Sequence, residues 1–600
     1  MRAGPALVVL AAGGLAAATD GYVAPAVCGS CHAGVFRTWL QTGMGRSFGP
    51  IESAPPTQPA TNFFHAASQR TYAVLQRDGG WFLRRRQTGY DGAETNVVEK
   101  QIHYVVGSGN HARTYLHRSQ DGRLIELPLS WYAAAGGYWA MSPGYDRPNH
   151  DDFRRRVSEQ CLFCHNAYPA GAGPGLAGGI DCQRCHGPGE GHARAAGRGA
   201  APEAIRAAIV NPARLSKPRQ LEVCLQCHLE TTSRALPNAI RRYDRPPFSY
   251  RPGEPLAGYI LHFDHPAGSA HHDKFEVNHA GYRLLRSRCF QQSPALVCAT
   301  CHDPHGARRG QEAADHYRRT CLSCHADHAA GPDCVSCHMP KRRAEDAVHV
   351  VLTDHWIQRR PLQRDLLAPL DEFELARKGV YKGEVAPYPL PELPDPASTL
   401  LYGALAQVKD LANLTAGIQA LEKAISDRKP RQAEFYLELA EAFSRAGRTD
   451  QALPYYRQAI RRKPDLARAY HRLGDALLRR GDIAAAVATL SKGLRMAPTD
   501  ADIATTLGVA QGQAGRLDAS VEILTKAVRW NPDYPLAWVN LGVSFEENGS
   551  PQAAEEAYRS AIRLQPDLAS AHRRLANLLA ARGDRAQARY HYGLAGEDQP

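Results

Sequence analysis

Over the last third of the chain, apolar and small residues recur with helical spacing inside a fixed period of 34 residues. Pro430, Pro464, Pro498, Pro532 and Pro566 are spaced by that period, and so are Gly447, Gly481, Gly515, Gly549 and Gly583. One period carries Trp538, Leu541, Gly542 and Phe545 on a first helical face, then Ala554, Tyr558 and Ala561 on a second, closed by Pro566. Tyr436, Leu439, Phe443, Ala452, Tyr456, Ala459 and Pro464 repeat the pattern in another unit. Glycine marks the turn between two helices, small residues let them pack closely, and proline ends the second. A first unit from about Ser398 keeps Tyr402, Leu405 and Pro430 but misses its other positions, as a degenerate cap would. Residues 398–600 therefore predict about six helix pairs stacked as a right-handed α-solenoid with a concave surface.

Upstream the pattern changes. Thr71–Leu75 and Trp81–Leu83 flank Asp78-Gly79-Gly80, and Asp121-Gly122 separates Tyr115-Leu116 from Leu124-Ile125, so both stretches predict β-hairpins. The rest of residues 20–360 has few long periodic runs and many Gly, Pro and His residues. The expected fold class is mainly α with a few β-hairpins. Residues 361–397 include Pro387-Tyr388-Pro389-Leu390-Pro391-Glu392-Leu393-Pro394-Asp395-Pro396, which reads as a stiff, extended linker that lets the tail fold independently. Six hundred residues exceed one compact core, in keeping with this division.

The cysteines explain what fills residues 20–360. Fourteen of 15 fall in seven copies of C-x-x-C-H. These are Cys28/Cys31/His32, Cys161/Cys164/His165, Cys182/Cys185/His186, Cys224/Cys227/His228, Cys298/Cys301/His302, Cys321/Cys324/His325 and Cys334/Cys337/His338. A single C-x-x-C also suits a zinc knuckle or a redox dithiol. Seven copies, each with its histidine, instead predict seven covalently attached c-type haems, two thioethers and one proximal imidazole apiece. Porphyrins would then supply the hydrophobic core. Cys289 has no partner at this spacing and is expected to be a free, buried thiol beside the fifth haem.

Met1-Arg2, the apolar stretch Ala6–Ala18 and Ala16-Ala17-Ala18 read as a signal peptide over residues 1–18. No later run reaches the roughly 18 apolar residues of a membrane span. Covalent haem attachment takes place outside the cytoplasmic membrane, so export to a bacterial periplasm or cell surface is expected.

The formal charge of +12 does not predict nucleic-acid binding. Residues 396–600 hold 27 Lys and Arg against 23 Asp and Glu, so most of the excess lies in the first part, where haem propionates need cations. Arg84-Arg85-Arg86 and Arg154-Arg155-Arg156 are assigned to propionate pairing or solvation; the alternative is a face for an acidic redox partner.

Two resemblances follow. The 34-residue period is that of the tetratricopeptide repeat. The runs Cys182–His192 and Cys298–Gly306 resemble those of multihaem cytochromes related to nitrification electron carriers and hydroxylamine oxidoreductase. That likeness spans roughly Tyr22–Arg360, including Gly107–His117 and Thr353-Asp354-His355, and with the tail resembles bacterial multihaem cytochromes fused to tetratricopeptide repeats. It implies His192 and His305 as distal iron ligands. His111, His117, His279, His316, His328, His349 and His355 are further candidates, the alternative being propionate binding or surface positions. Met44 is a candidate ligand of the first haem or a packing methionine.

His165 and Cys182, and His325 and Cys334, are so close in sequence that their haems must be neighbours, which fits a continuous electron path. The expected function is an electron-transfer cytochrome whose repeats dock a redox partner protein, with self-association as the competing use of the tail. The alternatives are an oxidoreductase acting on a small nitrogen or sulfur compound at an open-site haem, and a scaffold in which haems serve as cores. No C-x-x-C-K site occurs.

Overall fold

Two left-handed residues make the first hairpin of the computed structural model. Asp78 (φ 50°) and Gly79 (φ 74°) form a tight turn whose twist matches the strands it joins. The structure describes residues 21–56, 60, 62–168, 178–230, 239–269, 271, 273–325, 333–360, 362–377, 381–388, 396–409 and 413–597. The signal-peptide expectation, and His328, lie outside them.

Nine strands precede the second cysteine motif. They are β1 (Phe48–Pro50), β2 (Phe63–His65), β3 (Arg70–Arg77), β4 (Gly80–Thr88), β5 (Glu94–Ile102), β6 (Tyr104–Val106), β7 (Ala112–Arg118), β8 (Leu124–Tyr132) and β9 (Tyr138–Met141). They form a four-stranded sheet, β2-β3-β4-β5, and a five-stranded sheet, β1-β6-β7-β8-β9, both antiparallel. Tyr72, Val74, Leu83, Ile102, Val105, Leu127 and Leu129 fill the core they share. Both predicted hairpins are present, as β3–β4 and β7–β8. "A few hairpins" understates the region, however. A strand such as β5 (Glu-Thr-Asn-Val-Val-Glu-Lys-Gln-Ile) carries too few apolar residues to announce itself without its neighbours.

The tail contains twelve helices in six pairs, from Pro396–Lys409 to Arg585–Leu594. Gly447, Gly481, Gly515, Gly549 and Gly583 all have φ between 72° and 90°, the left-handed turn their spacing predicts. Gly542 allows two helices to cross, because a Cβ there would lie 2.5 Å from the Tyr558 ring. Gly542→Ala is expected to cost about 1–3 kcal/mol as overpacking. Gly593→Ala, with nothing within 4 Å of the added carbon, serves as control; equal melting temperatures for the two variants would contradict this packing.

The tail does not stand free, and this corrects the linker reading. Strands β10 (Ala239–Arg241) and β11 (Ile260–Asp264) pair, β12 (Lys341–Arg343) pairs with β13 (Val351–Thr353), and β14 (Ala386–Pro387) adds to β11. β14 comes from the expected linker. Proline is tolerated there because β14 is an edge strand. Ile240, Leu261, Phe263 and Val385 then share one core with Leu401, Tyr402 and Leu405 of the first repeat. Tyr243 packs edge-on against Phe435, and its N–H donates to Tyr402 Oη at 2.7 Å.

At the other end, the turns between repeats dock on the four-stranded sheet and on the segment after β9. Lys100 pairs with Asp533 (2.6 Å), Arg70 with Asp567 (3.2 Å) and Arg156 with Asp502 (3.1 Å). Arg85 and Arg154 donate to the carbonyls of Arg563 (2.6 Å) and Leu564 (3.3 Å). Both arginine runs assigned to propionates are thus held by protein groups. Arg84 and Arg86 pair with Glu94, Arg85 with Asp152, and Arg155 with Glu126. Sequence could not reveal this, because most of the partners lie far along the chain.

Two buried histidines make this assembly acid-sensitive. Burial first, then Arg70, pulls His150 down to about 3, and burial pulls His591 down to about 4. In the unfolded chain each takes up a proton near pH 6.5. Below that the unfolded state binds more protons, so stability is intact above about pH 6.5 and is lost progressively as pH falls towards 4 and 3. A melting temperature lower at pH 5 than at pH 7.5 is expected; an unchanged one would contradict the neutral, buried state of these rings.

Candidate haem sites

In five of the seven motifs the C-x-x-C segment lies within a helix, and in the third Cys182 is the N-cap of helix Gln183–His186; the helical turn brings the two thiols to the same side. The helices include Pro25–Cys31, Glu159–His165, Lys217–His228, Cys298–Cys301 and Cys334–His338. Side chains cap two of them: Ser158 Oγ accepts from Cys161 N, and Asp333 from Val335 N and Ser336 N. The sixth motif is the exception. Its helix, Gly310–Leu322, ends inside the motif, and Cys324 sits in the turn that follows, its N–H donating to Cys321 O at 3.2 Å.

The structure also brings different motifs together. Thiol neighbours are Cys28 with Cys182, Cys164 with Cys227, Cys224 with Cys298, and Cys321 with Cys334. The eight-residue link between His325 and Cys334 therefore does join neighbours. For the link from His165 to Cys182, the contact runs instead through Arg184, a fully buried guanidinium that donates to Phe163 O at 2.7 Å and reaches Cys227 Sγ at 3.8 Å.

Cys31, Cys161, Cys324 and Cys337 are exposed, whereas the other ten motif thiols are at least partly covered. The reason is plainest at the sixth and seventh motifs, whose helices bury no residue. Cys321 and Cys334 turn towards each other across the short link, and Cys324 and Cys337 are left facing outward.

Among the described residues, three motif histidines face a second imidazole. His32 faces His192 (ring centres 6.2 Å apart, 17° between planes), His186 faces His305 (5.9 Å, 19°) and His302 faces His355 (6.1 Å, 36°). Two imidazoles on one metal ion, with bonds of about 2.0 Å and about 1.2 Å from nitrogen to ring centre, lie about 6.4 Å apart. The pairs are therefore spaced to take an iron between them. His186 Nδ1 donates to Val210 O (2.8 Å), His192 Nδ1 to Ile205 O (2.8 Å) and His355 Nδ1 to Thr353 O (3.0 Å). That bond fixes the tautomer that leaves Nε2 as metal donor. His338 Nδ1 makes the same bond to Gln358 O (2.8 Å). Paired thiols and facing imidazoles fit covalent haem.

The remaining candidates are placed differently. His111 lies by Val351, and burial lowers its pKa. His117 stands on β7 beside His103 and gives its Nδ1 proton to Gln101 O (2.9 Å); burial pulls it down to about 4. His279 accepts from Glu276 N at Nδ1 (3.2 Å), which leaves its proton on Nε2, the wrong tautomer for iron. His316 donates from Nε2 to Cys301 O (3.0 Å). His349 lies 3.4 Å from Asp146, whose other oxygen contacts His65. His192, not Met44, faces His32, while the Met44 carbonyl accepts from Ile180 N (3.0 Å), just ahead of the third motif. His165, His228 and His325 face no second candidate histidine among the described residues. Cys289 is half-buried, and burial raises its pKa. Sequence reading missed His262. On β11 it is wholly buried, pulled down to about 3, and its Nδ1 has no partner, a state only the packed sheet creates.

Comparisons with known proteins support the two halves separately. The tetratricopeptide repeat family matches residues 409–465, 437–501 and 505–569, and a second model of that repeat matches 569–591. The doubled CXXCH motif family matches residues 294–330, spanning the fifth and sixth motifs. Solved structures match over part of the chain. MamA from Desulfovibrio magneticus is 21% identical over 27% of this chain and 93% of its own, with a TM-score of 0.25. A tetratricopeptide repeat protein described as having an unusual peptide-binding site, YrrB, is 22% identical over 30% of this chain and 91% of its own, at 0.25. PilF of Pseudomonas aeruginosa is 23% identical over 28% and 78%, at 0.27. No curated protein matches the chain. No helix among the described residues is long and apolar enough to cross a membrane. One chain thus joins a doubled CXXCH motif, which points to covalent haem c, to a tail of tetratricopeptide repeats, which points to protein interaction.

Proposed function

We propose that this chain is an exported electron-transfer cytochrome, in a bacterial periplasm or at the cell surface. Residues 20–360 would carry seven c-type haems, mostly with two histidine ligands, and residues 398–600 would dock a redox partner protein. The observation that carries the reading is the set of three imidazole pairs, each joining a motif histidine to one from elsewhere. Haem supplies one-electron chemistry when bound. The chain's own groups would do the rest: the thiols would anchor the haem and the facing imidazoles would hold its iron, while the backbone carbonyls of Val210, Ile205 and Thr353 keep the rings in place.

The pairing implies an order. His186 and His192 stand six residues apart but serve the third and first sites, and His302 and His305 stand three apart but serve the fifth and third. Short spans of chain therefore tie sites one, three and five together. Cys224 beside Cys298 adds the fourth site, and Cys321 beside Cys334 joins the sixth to the seventh. Because some repeat turns already hold the chain's own sheet, the partner would use the remaining solenoid surface.

Intact mass and spectroscopy of the mature protein test this. Seven haems are expected, nearly all low-spin, with at most one or two binding cyanide or nitric oxide. A majority of high-spin, ligand-binding haems would favour the alternative, an oxidoreductase acting on a small nitrogen or sulfur compound.

A further inference from the structure

Three carboxylates from distant parts of the chain meet beside the fourth motif. Glu230, Glu276 and Asp346 each place an oxygen within 4.8 Å of the other two. Glu276 is 2% exposed, and Glu230 and Asp346 are half-buried. Hydrogen bonds stitch the three segments together. Glu230 N donates to Asn278 O (3.2 Å), Val277 N to Asp346 Oδ1 (2.9 Å) and Glu345 N to Phe275 O (2.8 Å). The Asn278 amide also donates to Cys227 O, and a Cβ on Gly281 would lie 2.5 Å from His228 O. The cluster is therefore packed directly on the backbone of the fourth motif. Two cations close to it in the chain serve other carboxylates: Lys274 pairs with Asp264 and Arg283 with Asp354.

A buried donor faces the same point. Glu276 N donates to His279 Nδ1 (3.2 Å), which places the ring proton on Nε2. That Nε2 is wholly buried and has no hydrogen-bond partner. It lies 3.8 Å from Glu276 Oε2, too far for a direct bond. A buried N–H without an acceptor is costly, and a water carried by an ion would fill this gap.

We propose that Glu230, Glu276 and Asp346 bind one calcium ion, with an ion-bound water accepting from His279 Nε2. Calcium takes oxygen ligands at about 2.3–2.6 Å, so oxygens on opposite sides of it lie about 4.6–5.2 Å apart. The trio fits within that span. Crowded, half-buried carboxylates repel one another, and a divalent cation removes that cost. The tautomer of His279 makes it a proton donor and not a metal ligand, so the donor set is all oxygen, which suits calcium over zinc or copper. The ion would tie the chain leaving the fourth motif to the segments at Glu276 and Asp346.

The test uses the full-length protein as purified. Metal analysis gives the content, and calorimetric titration with calcium chloride after chelator treatment gives stoichiometry and affinity. One calcium per chain is expected. Chelation should lower the melting temperature and added calcium restore it, while equal magnesium restores little, because magnesium gives up its waters reluctantly. Glu230→Gln and Asp346→Asn keep the side-chain shape and remove one charge each. Each should weaken calcium binding by on the order of tenfold or more and make melting insensitive to chelator. If neither variant folds, chelation and restoration of wild type carry the test. No calcium uptake by wild type, or equal affinity in wild type and both variants, would overturn the site. A proton shared between the carboxyls would relieve the same crowding. It predicts no calcium uptake, no effect of chelator and an undiminished melting temperature for Glu230→Gln, and that result also overturns the proposal. Failure of the haem reading would appear separately, as missing haem mass, since calcium binding is measured without reference to the haems.

Discussion

Asp152→Ala is expected to cost about 3–5 kcal/mol, the scale for leaving a buried charge without its partner. Asp152 is fully buried between Arg85 (3.2 Å) and Arg70 (3.7 Å) and accepts from Tyr72 Oη at 3.3 Å. Burial alone would raise its pKa, yet Arg85 and Arg70 hold it below the usual carboxylate range. Without it, two guanidiniums face each other in the core, and the same two reach the tail through Asp567 and Arg563 O. One substitution should therefore weaken both the sheet and its docking to the solenoid. Chemical denaturation reads the loss. Asp567→Asn, which removes only the rim partner of Arg70, should cost about 1 kcal/mol or less. Equal costs for the two variants would show that the core pair is not the keystone of this interface.

His192→Ala is expected to convert one low-spin haem to a high-spin, cyanide-binding one and to leave the other six unchanged. The reason is geometric: His192 is the ring facing His32, 6.2 Å away and nearly parallel. Low-temperature electron paramagnetic resonance before and after cyanide gives the count. His349→Ala, which removes a ring held by Asp146 and Tyr138, should leave the number of low-spin haems unchanged. A spectrum unchanged by His192→Ala would dissolve this pairing and the order of sites built on it.

The parts legible before folding share one property: their signal is local. C-x-x-C-H needs only five consecutive residues, so seven motifs can be counted without a structure. The repeat period is local too. Gly549 turns the chain at φ +74°, and Gly542 admits Tyr558 within its own helix pair, so six pairs follow from spacing alone. The hairpin at Asp78-Gly79 needs no distant contact either.

The rest was decided by contacts between residues far apart in sequence. His32 meets His192 and His186 meets His305 across more than a hundred residues, and no spacing rule selects those pairs from 16 spare histidines. Seven identical motifs likewise give no hint that Cys324 and Cys337 stay exposed while Cys185 and Cys227 are covered, because cover comes from other parts of the chain. Arg154–Arg156 look like a propionate site until the fold carries Leu564 and Asp502 to them. Pro387 reads as spacer until β11 presents an edge to pair with. Local sequence determined the seven motifs and the stacking units, because each forms within a turn or a repeat. Tertiary structure alone decided which imidazoles face each other and how the tail is anchored. Those depend on which distant groups reach a buried charge or a donor nitrogen first.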